Sequence, residues 1–251
     1  LIGLVTWNRP DVIVATKVGA NFYRAGTQLD FTPGYLRFAC EMSLKRLHRD
    51  HIDLYQLHNP PLEVVRSGRV FEAMEALKAA GKIRFYGVSI HRAEEGIWAI
   101  RSGKPDALQV VYNIVSQDAA WELLPTAQER KIGIIAREPL HNGFLTGKYS
   151  EHSTFPSGDI RQDWPKPYLK ALTIVAEGVR SLAQSRGCTV SQVALRFALD
   201  NSAVSAVIPG ARTAAQVEEN LRASEIPPLT PEELAWIQEL APASAQPWTH
   251  V

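Results

Sequence analysis

Six short β-branched runs alternate with helical patterns along this chain, and that alternation restricts its fold more than any other feature. The runs are DVIVATKVG, HIDLYQLHN, IRFYGVSI, ALQVVYNIV, KIGIIAREPL and SAVSAVIPG. Strands joined through helices run parallel, and near-continuous apolarity within each run predicts cover on both faces. The fold class is therefore α/β. The intervening segments carry helix start and stop chemistry. Thr32 before Pro33 reads as N-cap and first helical residue, with Leu36, Cys40, Leu44 and Leu47 following on one face. Phe71, Met74 and Leu77 repeat the pattern ahead of Gly81, a residue suited to the position just past a helix end. Thr189 with Gln192, and Thr230 with Glu233, read as capping boxes. The opening LIGLVTWNRP reads as a helix already in progress.

At 251 residues the chain has the size of a single-domain (β/α)8 barrel. Six βα units do not close eight strands, so two units are expected ahead of Leu1, making residues 1–251 one N-terminally incomplete barrel domain. A smaller open α/β sheet is the alternative. With 27 Lys+Arg against 26 Asp+Glu, no global charge selects nucleic acid or an anionic membrane, so any anion binding has to be local. Apolar runs fall far below the roughly 18 residues of a membrane span. Cys40 and Cys188 belong to no metal-ligand cluster, so no metal site is expected; with no signal peptide at the start, they fit a reducing cytoplasm. No heptad or symmetry cue sets an oligomeric state. The polar stretch from Tyr149 to Pro167 is too long for an ordinary connection and reads as a functional loop. The tail from Ala241 to Val251, with Pro247 and Trp248, either covers the barrel mouth or frays.

Functional side chains of such barrels sit where strands end. Lys17 ends the first strand and His58 the second. At the same end of neighbouring strands, a cation and an imidazole can converge on one substrate oxygen, as carbonyl reduction requires, although a Schiff-base lysine would look the same. The last strand runs through Pro209-Gly210 into a helix with Thr213 at its N-cap and Gln216 three residues on. The free N–H groups there and the neighbouring Arg212 suit a phosphate.

The motifs ATKVG, DLYQLHNP, GVS, LQVVYN, GFLTGKY and IPGxRxxxQxxEN occur in that order, and from Asp11 to Leu240 the chain resembles the aldo-keto reductases, of bacterial type and similar also to the potassium-channel β-subunit branch. The resemblance implies a (β/α)8 TIM barrel and an NADP(H)-dependent oxidoreductase that reduces aldehyde or ketone groups of small molecules by hydride transfer. It makes Lys17 and His58 the catalytic lysine and histidine, and Ser89 and Gln109 the side chains that bond the nicotinamide carboxamide; Ile90 stands where many members have Asn. Arg137 takes the position of an aromatic residue that stacks on the nicotinamide, and either stacks there itself or pairs with Glu138. Pro139, Leu140, Asn142 and Gly143 match the loop that wraps the pyrophosphate, and Lys148 and Arg161 the basic groups that close over the cofactor. Gly210, Arg212, Gln216, Glu219 and Asn220 match the adenosine segment, with Arg212 at the 2′-phosphate favouring NADP over NAD. The family's catalytic Tyr and supporting Asp are expected upstream of residue 1, and Tyr23 falls at the rim of the substrate pocket. Two other readings share these residues: an NADP-binding regulatory subunit with little turnover, and a Lys17 Schiff-base lyase.

Overall fold

The structure, a computed structural model, describes residues 1–23, 28–103 and 105–240; the tail from 241 onward lies outside them. Each β-branched run forms a strand. In chain order the strands are Ala15–Val18 (β1), a small antiparallel pair Ala20–Asn21 (β2) and Gln28–Leu29 (β3), Ile52–His58 (β4), Ile83–Ser89 (β5), Ala107–Val111 (β6), Gly133–Arg137 (β7) and Val204–Ile208 (β8). The chain divides into two compact units, Leu1–Val110 with Pro125–Ile134, and Val111–Leu124 with Ile135–Val251.

In the first unit β1, β4, β5 and β6 lie side by side in that order, all parallel. The register sets Lys17 against Gln56, Gln56 against Gly87 and Gly87 against Ala107; one pleat further on, His58 meets Ser89 and Ser89 meets Gln109. Because register partners in a parallel sheet share a face and residues two apart return to it, these positions all lie on one face of the sheet. Cover on both faces holds for β4 and β6, whose residues are nearly all buried. It does not hold for β1, where only Val18 is buried and the preceding Ile13 is 79% exposed. A strand with a neighbour on one side only has half the packing partners, and apolar sequence alone does not supply them.

The helices behave as their caps dictate. In Pro33–Leu47 the Thr32 hydroxyl accepts from Tyr35 N–H at 3.3 Å, Pro33 occupies the first turn, and Leu36, Cys40, Leu44 and Leu47 are buried. Helix Arg69–Ala79 buries Phe71, Met74 and Leu77 and stops at Gly81, whose φ of +69° suits a residue without a Cβ. The opening segment does form a helix, Ile2–Thr6, and Arg49 fastens the stretch after it by donating to the carbonyls of Thr6, Arg9 and Val12 at 3.0, 2.8 and 2.9 Å.

In the second unit the long helix Lys166–Ser185 and helix Val190–Leu199 form the core, with Phe197 stacked on Tyr112 at 5.5 Å. Both capping boxes close reciprocally, at Thr189 with Gln192 and at Thr230 with Glu233. Helix Ala214–Leu221 starts at Thr213, whose hydroxyl accepts from Gln216 N–H at 3.3 Å. There the side chain of Gln216 reaches one residue further back and accepts from Arg212 N–H at 2.7 Å, which fixes the backbone of the arginine. Strand β8 is half-open, with Ser205, Ala206 and Ile208 exposed, a second place where cover on both faces is not met.

Candidate active site

In the first unit the ends of the parallel strands collect the expected polar side chains. Ser89 and Gln109 are 1% and 4% exposed, while Lys17 is half-buried and His58 exposed. Such burial of uncharged polar groups in a strand face requires partners. The Ser89 hydroxyl donates to Asn59 Oδ1 at 3.1 Å, and Asn59 N–H donates to Ser89 O at 2.9 Å, with Asn59 in the left-handed region at φ +50°. The donor of Ser89 is therefore committed and its lone pairs remain to accept from an amide N–H. Ile90, buried, donates its N–H to Gln109 O at 2.9 Å, so the backbone on either side of Ser89 is fixed.

The second unit holds an open cleft of about 860 Å³, within the roughly 300–1,000 Å³ of small-molecule sites. Eleven of the expected cofactor residues line it: Pro139, Leu140, Asn142, Gly143, Lys148, Arg161, Gly210, Arg212, Gln216, Glu219 and Asn220. Arg137 is not among them; it forms an ion pair with Glu138.

The wall formed by residues 138–147 is shaped by unusual backbone. Glu138, His141 and Asn142 have φ of +54°, +42° and +51°, and Gly143 and Gly147 have +91° and +70°. A non-glycine residue in that region costs about 1–3 kcal/mol, so the surroundings must hold it. Asn113 Nδ2 donates to Glu138 O at 2.9 Å, Arg161 Nη1 to Asn142 O at 2.9 Å, and Arg180 Nη2 to Gly147 O at 2.7 Å. His141 Nε2 meets Tyr168 OH at 2.7 Å, and burial lowers the imidazole pKa to about 4, which keeps it neutral. At Gly143 a Cβ would stand 3.0 Å from the Tyr149 ring and 3.6 Å from Arg161 Nη1, so this position admits a close backbone approach and nothing larger.

Arg161 is buried between rings, 4.5 Å over Tyr149 and 4.3 Å over Phe155, and is clasped by Asp159 at 2.8 and 2.6 Å. Those hydrogen bonds from Arg161, with a smaller pull from Arg212, hold the Asp159 carboxyl at about 2. The acids of the cleft are thus engaged: Glu138 by Arg137, Asp159 by Arg161, and Glu219 by the Thr189 hydroxyl at 2.7 Å. Arg212, exposed at the start of helix Ala214–Leu221, makes no ion pair among the described residues. Its guanidinium and the helix N-terminus together form a place for an anion.

Four structural supports escape a reading by motif: Gln56, Asn113, Asp159 and His141. The first two stand inside the quoted motifs, and the signal that could have found them is a polar side chain in an otherwise apolar strand or at its end. Tyr23 stacks with Phe22, meets Phe38 edge-on and is bonded by Arg46.

The model of the aldo/keto reductase family matches residues 4–242. The chain belongs to the aldo/keto reductase family. As a member it is 32% identical over 253 residues to an aldo-keto reductase of Strobilurus tenacellus, covering 96% of this chain and 72% of that protein. It is also 34% identical over 216 residues to an aldo-keto reductase of Bacillus subtilis, of which it spans 64%. Among solved structures, the holo form of an aldo-keto reductase from Bacillus halodurans has a TM-score of 0.79 at 30% identity, covering 99% of this chain and 79% of that one. A glycerol dehydrogenase from Gluconobacter oxydans has a TM-score of 0.84 at 28% identity, with 95% and 75% covered. This aldo/keto reductase therefore has the α/β fold of the (β/α)8 type, and its class of chemistry is oxidation and reduction at carbonyl and alcohol groups. Among the described residues no helix is long and apolar enough to cross a membrane, and no cluster of His, Cys, Asp and Glu offers a metal site.

Proposed function

We propose that the protein is an NADPH-dependent reductase of small aldehydes or ketones, acting in the cytoplasm. The observation that carries this reading is the second unit's cleft, in which the left-handed 138–147 wall, Arg161 and Arg212 meet at a helix N-terminus. The residues fit a dinucleotide: Gly143 leaves room for backbone against a pyrophosphate, and Arg212 offers a fork to a further phosphate that NAD lacks. For a nicotinamide carboxamide the first unit offers Ser89 Oγ as an acceptor and Gln109 as a donor, a pair that would select the presented face of the ring.

When bound, NADPH supplies a hydride to the substrate carbonyl carbon. His58 donates a hydrogen bond to the carbonyl oxygen and so draws the substrate into line. Lys17 stabilises the negative charge that gathers on that oxygen, an effect which in a dry site is worth several kcal/mol. The oxygen would then need a proton from a general acid, the part a tyrosine plays in the family; such catalysis contributes about 10²–10⁴-fold.

The test is NADPH oxidation followed by its absorbance against a panel of small aldehydes and ketones. Turnover that falls at least about tenfold in Lys17→Met and His58→Gln, with cofactor affinity kept, supports the reading. Tight NADPH binding with no turnover on any carbonyl would point to an accessory subunit, and borohydride trapping of a carbonyl on Lys17 without nicotinamide would point to a lyase.

A further inference from the structure

Gln56 is an anomaly in strand β4. It lies between Tyr55 and Leu57, is 2% exposed, and sits in the middle of a sheet face where an aliphatic side chain would be expected. Its Nε2 donates to Gln109 Oε1 at 3.2 Å, so it spans from β4 to β6 across the intervening β5. The crossing is possible because its register partner on β5 is Gly87. A Cβ at that position would come within 3.2 Å of Gln56 Cγ and 2.8 Å of Ala107 O. A glycine in the interior of a buried strand weakens it and commonly marks a place where another group approaches. Here the approaching group is the Gln56 side chain.

The pair is half-satisfied. Gln56 Oε1 is buried and meets no hydrogen-bond donor among the described residues. A buried acceptor left without a donor costs about 1–3 kcal/mol, and leucine would cost nothing of the kind. Local misfits of this sort are expected where a site needs a group the fold does not. The bond also has a direction. With its oxygen engaged by Gln56, Gln109 presents its Nε2 as the donor, while Ser89, whose hydroxyl proton goes to Asn59, presents an acceptor. A primary amide has one carbonyl and one NH2 group, and this arrangement offers one partner to each.

From this we infer that Gln56 is a positioning residue for the cofactor. By holding Gln109 Oε1 it sets which end of the Gln109 amide faces the nicotinamide carboxamide, and so fixes the orientation of the ring. The inference rests on the proposed nucleotide reading and concerns only the nicotinamide end.

Two ligands separate that end from the rest: NADPH, and 2′-phospho-ADP-ribose, which keeps the pyrophosphate and 2′-phosphate but lacks the nicotinamide. Each is titrated into the protein as it stands, and into Gln56→Leu and Gln56→Glu. In Gln56→Leu the Gln109 amide is no longer held, and NADPH should bind roughly five- to tenfold more weakly, the equivalent of one hydrogen bond. Gln56→Glu cannot donate, so Gln109 turns its Nε2 inward and its oxygen toward the carboxamide carbonyl; the loss should be greater than in Gln56→Leu. In both variants 2′-phospho-ADP-ribose should bind as before. NADPH affinity unchanged in both variants would overturn the inference. So would an equal loss for the two ligands, because that marks a general disturbance of the fold. Failure of the unsubstituted protein to bind either ligand would overturn the nucleotide reading itself, and this inference with it.

Discussion

At the scale of the residue, side chains take their chemistry from what surrounds them. His141 is the clearest case. Burial drops its pKa from 6.5 to about 4, and its Nε2 meets Tyr168 OH. Between those two values the unfolded chain takes up a proton that the native protein refuses. Stability therefore falls as pH drops through that window, by up to about 3 kcal/mol, with no contribution above the upper value. Melting temperatures at about pH 7.5 and about pH 5 should differ more for the unsubstituted protein than for His141→Phe. An equal drop in the two would show that His141 does not titrate in this way. The places of Lys17, His58 and Arg212 at strand ends and beside a helix start were legible from sequence, because runs of β-branched residues and N-cap patterns mark those points. His141 was not, because its environment is built by Trp164 and Tyr168, more than twenty residues along the chain.

At the scale of the element, local sequence codes held where they were self-contained. The Thr32–Pro33 start, the Gly81 stop and the boxes at Thr189 and Thr230 all form as read, since each needs only residues within one turn. The start at Thr213 differs because Gln216 has a second donor within reach, Arg212 N–H. One cap also does work beyond its helix: the Thr189 hydroxyl accepts from Gln192 N–H and donates to Glu219. Thr189→Ala should lower stability by about 1 kcal/mol through the lost cap, measured by denaturant unfolding. It should also free the Glu219 carboxylate at the edge of the cleft. A variant as stable as the parent would mean that the box contributes nothing the backbone does not already supply.

At the scale of the whole molecule, the run of βα units made the α/β class and the parallel strands legible, whereas cover on both faces was not legible strand by strand. Apolar sequence in β1 and β8 looks like that in β4, but burial depends on neighbours that no strand encodes in itself. Amide hydrogen exchange should reflect this: the amides of β4 and β5 should exchange last, and those of β1 and β8 well before them. Equal protection across all four strands would contradict the burial described. For the second unit's cleft the proposal is that NADPH binds with Arg212 on the 2′-phosphate. Titration of NADPH and of NADH, followed by tryptophan fluorescence, tests it directly in the protein and in Arg212→Ala. A preference for NADPH that falls at least about tenfold in the variant, with NADH affinity unchanged, is expected, as loss of a charge-assisted pair requires. Equal affinity for the two nucleotides, or a preference that survives the substitution, would contradict it.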